Sequence, residues 1–189
     1  MPAKIRFDRQ SIIEAAFEVV KTRGIDALNA RSLAYELGSS TQPIFSNFSS
    51  MDDIVEIIYD LSIDSFRNFV NKGLSETNPV VGLSFAIAQF ATTAPYLYEV
   101  LFIRDTTGFL KPDLDRFGTL LTNYIAKSAN LANKVANIVF LENWIFAMGI
   151  AQQIHAGLLE MNEKALRALI QSEYDGTIAA IKQKIGKSR

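Results

Sequence analysis

Apolar residues recur at three- and four-residue intervals along most of the chain, and no stretch alternates apolar with polar positions, so the pattern predicts an all-α protein. Ile12, Ile13, Ala16, Phe17 and Val20 mark a first helix from the cap Asp8 to about Arg23, closed by Gly24. Asn29 caps a short second helix that turns Leu33, Ala34 and Leu37 inward. Gly38 allows the tight turn after it, and Ser39 and Ser40 offer hydroxyls to cap the next helix. Between Thr41 and Phe48, Ile44 and Phe48 are four apart and face the core, which leaves Gln42, Phe45 and Ser46 on the opposite side. Pro43 constrains where this helix starts. Either Ser40 is the cap and Pro43 sits in the first turn, the reading favoured here, or Gln42 is the cap and Pro43 the first helical residue. Ser50 with Asp53 three residues on reads as a capping box for a long helix to about Asn71, built on Ile54, Ile57, Ile58, Leu61, Phe66, Phe69 and Val70.

The remaining two thirds continue in helices. A mostly buried one spans 79–94 (Leu83, Phe85, Ile87, Ala88, Phe90) and is ended or kinked by Pro95. A short helix over 96–104 and a loop through Thr106, Thr107 and Gly108 precede a restart at Lys111-Pro112, with a stripe from Leu114 to Ile125. From Ala132 to Leu159 apolar residues surround the axis, so this helix must be covered on two sides, one by its own core and one by a partner subunit. Asn162 caps a last helix whose apolar residues keep heptad-like spacing, consistent with a four-helix dimer interface built from Ile145, Met148, Leu169, Tyr174, Ile178 and Ile181.

Composition narrows the function classes. With 189 residues, 49% of them hydrophobic, there is enough chain for one good-sized core or a small domain beside a larger one. The net charge of −1 exerts no global pull on nucleic acid, and residues 1–51 hold six cations against five anions, so any DNA-binding charge must be gathered on one face. Lys4 and Arg6 form a short basic arm ahead of the first helix. There is no cysteine, hence no disulfide and no thiolate metal site, and no metal or cofactor is expected. No leader is apparent, and Glu142, Asn143, Gln152 and Gln153 interrupt the most apolar region before it reaches a membrane span; a cytoplasmic protein is expected. Without a phosphate-cradling glycine loop, or a histidine beside a plausible serine and aspartate, an enzyme is not expected.

Helix, glycine turn, short helix and capped long helix over 29–54 are the layout of a helix-turn-helix. Ile13, Ala15, Ala16, Gly24, Ala34, Leu37-Gly38, Ser40, Phe45, Phe48 and Ile54, in that order and spacing, resemble the N-terminal DNA-binding domain of the TetR family of transcriptional regulators. The chain departs from the family pattern at Phe45 (usually Tyr), Asn47 (usually His) and Met51 (usually Lys), which removes a phenol hydroxyl and an ammonium that would reach phosphates. The resemblance implies a DNA-binding domain over 1–51, touching double-stranded DNA through Asn29, Arg31, Ser40, Thr41, Gln42, Pro43, Phe45, Ser46 and Asn47, and an effector-binding and dimerisation domain over 52–189. It further implies a homodimer on a palindromic operator, released by an unknown small molecule. Phe66, Phe85, Gln89, Phe102, Tyr124, Trp144 and His155 are the candidates to line the pocket. The competing class is a dimeric helical interaction or ligand-sensing module with weak or lost DNA binding.

Overall fold

The computed structural model describes residues 7–104 and 111–187; the Lys4–Arg6 arm and the 106–108 loop lie outside them. Among the described residues there are nine α-helices, one 3-10 turn and no strand, so the fold class is the one the periodicity predicts. Packing divides the chain into two compact units. The first, here the head, holds α1 (Arg9–Arg23), the 3-10 turn Ile25–Ala27, α2 (Ala30–Glu36), α3 (Gln42–Asn47), α4 (Met51–Leu74) as far as Ser65, and α6 (Pro95–Phe102). The second, the body, holds α4 from Phe66 onward, α5 (Pro79–Thr93), α7 (Lys111–Ala129), α8 (Asn133–His155) and α9 (Glu163–Lys187).

This division differs from a boundary at residue 51. Helix α4 is unbroken, and it buries Ile54 and Ile58 in the head's core but Phe66 and Val70 in the body's. Cutting it at its cap would strip the head of two fully buried isoleucines, each stabilising it by about 1.5–3 kcal/mol. The head also takes in α6, which packs on α1 from more than seventy residues away. Tyr96 lies against Gly24, where a Cβ would meet its ring at 3.2 Å and φ is +84°. Arg104, just past the end of α6, forks onto both carboxylate oxygens of Asp26 at 2.6 Å and donates to Glu99 at 2.7 Å. Ile12, Ala16, Val20, Leu33, Ile44 and Phe48 also lie in the head's core.

The body is built around α5, buried along nearly its whole length and packed chiefly against α8 and α9. Phe66 and Phe69 both meet the Phe90 ring at 5.3 Å between centroids. Where α4 crosses α5, Gly73 and Gly82 touch backbone to backbone, and a Cβ on either would run into the carbonyl oxygen of the other. Arg67 of α4 clamps the buried Asp113 in the first turn of α7 through Nε (3.2 Å) and Nη2 (2.8 Å). Arg167 of α9 lies 3.6 Å over the Phe85 ring and bonds Glu76 and Glu163.

Helix lengths shift modestly from expectation. Helix α4 runs to Leu74 rather than Asn71, and α8 stops at His155 rather than Leu159. There Gly157 takes φ +69° and the amides of Gly157 and Leu158 turn back onto Ile154 and Gln153. Asn162 caps α9 by accepting from Ala165 N at 2.9 Å. By length and composition α8 is apolar enough to cross a membrane, contrary to the sequence expectation, as the core helix of a globular unit can also be. Its interrupting Asn143 is buried, with Nδ2 donating to Val139 O, and one whole face of the helix packs into the body.

Candidate nucleic-acid interface

Three devices cap helices of the head. Asp8 caps α1 by accepting from Ser11 N at 2.8 Å, and that bond holds its carboxyl below the usual aspartate range. Asn29 Oδ1 accepts from the amides of Arg31 and Ser32, while Ser32 Oγ accepts from Asn29 N, a reciprocal box that opens α2. Ser50 and Asp53 form the expected box on α4, and the Ser50 hydroxyl, with the amides of Ser49 and Ser50, lowers the Asp53 pKa.

Between α2 and α3 the turn is made by Gly38 at φ +60°, with Ser39 N bonded back to Ala34 O. Neither proposed cap for α3 is the one found. Thr41 occupies the cap position with helical dihedrals and no side-chain bond, and Pro43 falls within the first two residues of the helix. The proline's missing N–H has no intrahelical partner to lose there, so the helix starts one residue after Thr41 without strain at the ring.

Ile44 is fully buried and Phe48 is 3% exposed, while Gln42 and Ser46 face solvent and Phe45 is 52% exposed. This six-residue helix therefore presents an amide, a hydroxyl and an aromatic edge, groups that suit base edges and a thymine methyl in a major groove. Ser40 is exposed beside them, and Thr41 and Pro43 are half-buried. Arg31 is exposed at the start of α2 and, among the described residues, its guanidinium makes no hydrogen bond or ion pair; Lys21 pairs with Glu18 and Arg23 with Glu36. Three of the residues named from the sequence serve the protein itself, one of them Ser46, whose Oγ donates to Gln42 O at 2.8 Å. Asn29 is committed to its cap, and Asn47 Nδ2 donates to Pro43 O at 2.8 Å and to Phe7 O at 3.4 Å.

Sequence reasoning missed Arg9 and Tyr35. Arg9 Nη1 donates to Asn47 O at 3.0 Å across 38 residues, a contact no local signal marks. Tyr35, 81% exposed, lies outside the Leu33, Ala34, Leu37 stripe, four residues after Arg31, and that spacing was there to be read.

The expected pocket residues fall in several places. Phe66 and Phe85 are core, packed on Phe90 and under Arg167. Phe102 stacks on Tyr98 at 5.0 Å in the head, Trp144 meets Phe140 at 6.3 Å on α8, and Gln89 and His155 are half-buried on α5 and α8. Tyr124 donates to Thr77 O and borders an open groove of about 440 Å³ between α7 and α9, together with Ser128, Tyr174, Asp175, Ile178 and Lys182. Two residues assigned to a dimer face, Tyr174 and Ile178, thus line this groove; Tyr174 is 8% exposed, and burial raises its phenol pKa. The bare apolar face of α8 instead carries Ile138, Leu141 and Ile145, the last 68% exposed, with Met148 half-buried alongside. On α9, Leu169 is exposed and Ile181 half-buried. No group of three or more histidine, cysteine, aspartate or glutamate side chains among the described residues is placed to hold a metal.

No family model and no curated protein matches the sequence. Solved structures do match. A TetR-like transcriptional regulator from Rhodococcus sp. RHA1 aligns over 95% of this chain and 98% of its own, with TM-score 0.68 and 14% identity. A TetR-family member from Streptomyces coelicolor A3 aligns over 87% and 96% (TM-score 0.59, 20% identity). A TetR variant from Acinetobacter baumannii AYE, in complex with minocycline, aligns over 94% and 97% (TM-score 0.54, 14% identity). The fold is that of the TetR family of regulators, as the resemblance in residues 11–54 implies.

Proposed function

We propose that this chain is a DNA-binding transcriptional regulator that binds a palindromic operator as a cytoplasmic homodimer, represses, and is released by a small molecule. The observation that carries the reading is α3, which buries Ile44 and Phe48 and turns Gln42, Phe45 and Ser46 outward from a capped head. The bare stripe of Ile138, Leu141 and Ile145 on α8 supports pairing of two copies, which would set two such helices one turn of DNA, or a small multiple, apart. The minocycline-bound relative supports a small-molecule effector for the body. A ligand that favours one spacing of the heads by ~1–3 kcal/mol suffices for regulation. This reading assigns DNA binding to the head and effector binding and dimerisation to the body.

One observation favours a second reading, a dimeric module with weak or lost DNA binding. The segments that make up the head carry 7 Lys and Arg against 12 Asp and Glu, net −5, while those of the body carry 12 against 8, net +4. Selection of duplexes from a random pool, followed by salt titration, separates the two. A regulator enriches a palindrome and binds it with log K falling linearly, but shallowly, with log salt, because few cations are available to displace counterions. No enrichment at low salt assigns the chain to the second reading.

A further inference from the structure

We propose that Arg9 is a positioning residue for α3, holding the outward face of that helix in register through Asn47; the inference rests on the DNA-binding reading above. A helix of six residues cannot sustain itself, and α3 receives no side-chain bond from its cap Thr41. Its other end is tied down instead. Arg9, the first residue of α1, donates from Nη1 to the carbonyl of Asn47, the last residue of α3, at 3.0 Å. The carbonyls of a helix's last turn lack intrahelical partners and gather the negative end of its dipole, so a guanidinium is well matched to that oxygen.

The same guanidinium lies 4.2 Å from the centroid of the Phe48 ring, the buried residue on which α3 stops, and its charge helps lower the pKa of Asp53 in the box that starts α4. The tie is returned from the other side. Asn47 Nδ2 donates to Phe7 O at 3.4 Å, just ahead of α1, and to Pro43 O at 2.8 Å within α3. The entry to α1 and the exit of α3 are thus stitched in both directions, with Arg9 as the one charged member. Asparagine at 47, where the resemblance expects histidine, supplies a short amide that spans two carbonyls, and its work is in this stitch.

The test uses the full chain with Arg9→Met, which keeps the stem but loses charge and donors, and Arg9→Lys, which keeps the charge and one donor to Asn47 O. In the free protein, hydrogen exchange at the α3 amides should quicken roughly tenfold in R9M and return most of the way in R9K, with Ile54 and Ile58 unchanged. Against a selected duplex, R9M should bind about tenfold more weakly at every salt concentration while its log K against log salt slope stays at the wild-type value. A slope lowered by about 0.9 would make Arg9 a phosphate contact and overturn the proposal, as would unchanged exchange at α3. If the wild-type chain selects no duplex, the role falls with the DNA-binding reading, and faster α3 exchange in R9M then marks Arg9 as a structural anchor only.

Discussion

The head adds polar devices at its helix ends to a buried apolar core, whereas the body closes mainly by apolar packing along long helices. In the head, the seven-residue α2 opens on the Asn29–Ser32 box, the six-residue α3 ends against Arg9, α1 and α4 start on the Asp8 cap and the Ser50–Asp53 box, and the Arg104–Asp26 fork holds the end of α6. In the body, helices of 15 to 25 residues close over Phe66, Phe85 and Phe90, and at the Gly73–Gly82 crossing α4 meets α5 backbone to backbone. Short helices have few turns on which to carry an apolar stripe, so their unpaired end groups weigh more in their stability. Long ones dilute their ends and live on packing. A surface built from short helices can expose an amide and a hydroxyl without losing its core, but it inherits sensitivity to pH and to single polar substitutions.

Substitutions in the body should show the largest effects. Phe66→Ala leaves a cavity against Phe90 and should cost about 4 kcal/mol in urea unfolding. Gly82→Ala drives a methyl into the Gly73 carbonyl and should cost about 3 kcal/mol, read the same way. Asp113→Asn weakens the clamp on Arg67; because that guanidinium is 44% exposed, the loss should be about 1–2 kcal/mol rather than that of a fully buried pair. A drop smaller than about 0.5 kcal/mol in all three, the range of an ordinary surface substitution, would mean that the body is not held by its packing.

The head should respond to acid instead. Asp8 and Asp53 have folded pKa values lowered from 3.8, so the stability they confer is present above that value and disappears as pH falls through the folded ones. Hydrogen exchange followed as pH falls below 3.8 should show α1 and the start of α4 losing protection before α5 and α8. Asp53→Asn should flatten the dependence at the start of α4. The smallest effect is on the outer face of α4, where exposed Asp52, Glu56, Asp60 and Asp64 stand four residues apart. Asp60→Lys converts two like-charge pairs into attractive ones and should stabilise the helix by a few tenths of a kcal/mol, seen as a small rise in Tm.

What the sequence made legible was local. Capping at Asp8, Asn29, Ser50 and Asn162, the inward Ile44 and Phe48, and the outward Phe45 all come from spacings of three or four residues. What it hid was which helix meets which. Nothing near Tyr96 or Arg104 shows that they close on Gly24 and Asp26, and nothing near Arg9 shows that it reaches Asn47. The pocket candidates scattered for the same reason. Periodicity marks Phe66, Phe85 and Phe102 as inward-facing, but not that two belong to one core and the third to another. Tyr174 and Ile178 share a stripe with Ile181 in the sequence, yet those two line the open groove beside Tyr124 of α7.

The crossing of α4 and α5 also limits how this chain can vary. When an enlarged residue clashes with an ordinary neighbour, shrinking the neighbour restores the fit. Gly73 and Gly82 are each other's neighbours and already as small as residues come, so neither has a compensating partner. Any descendant that replaces one of them must move a helix axis to survive, and α4 is the helix that continues into the head.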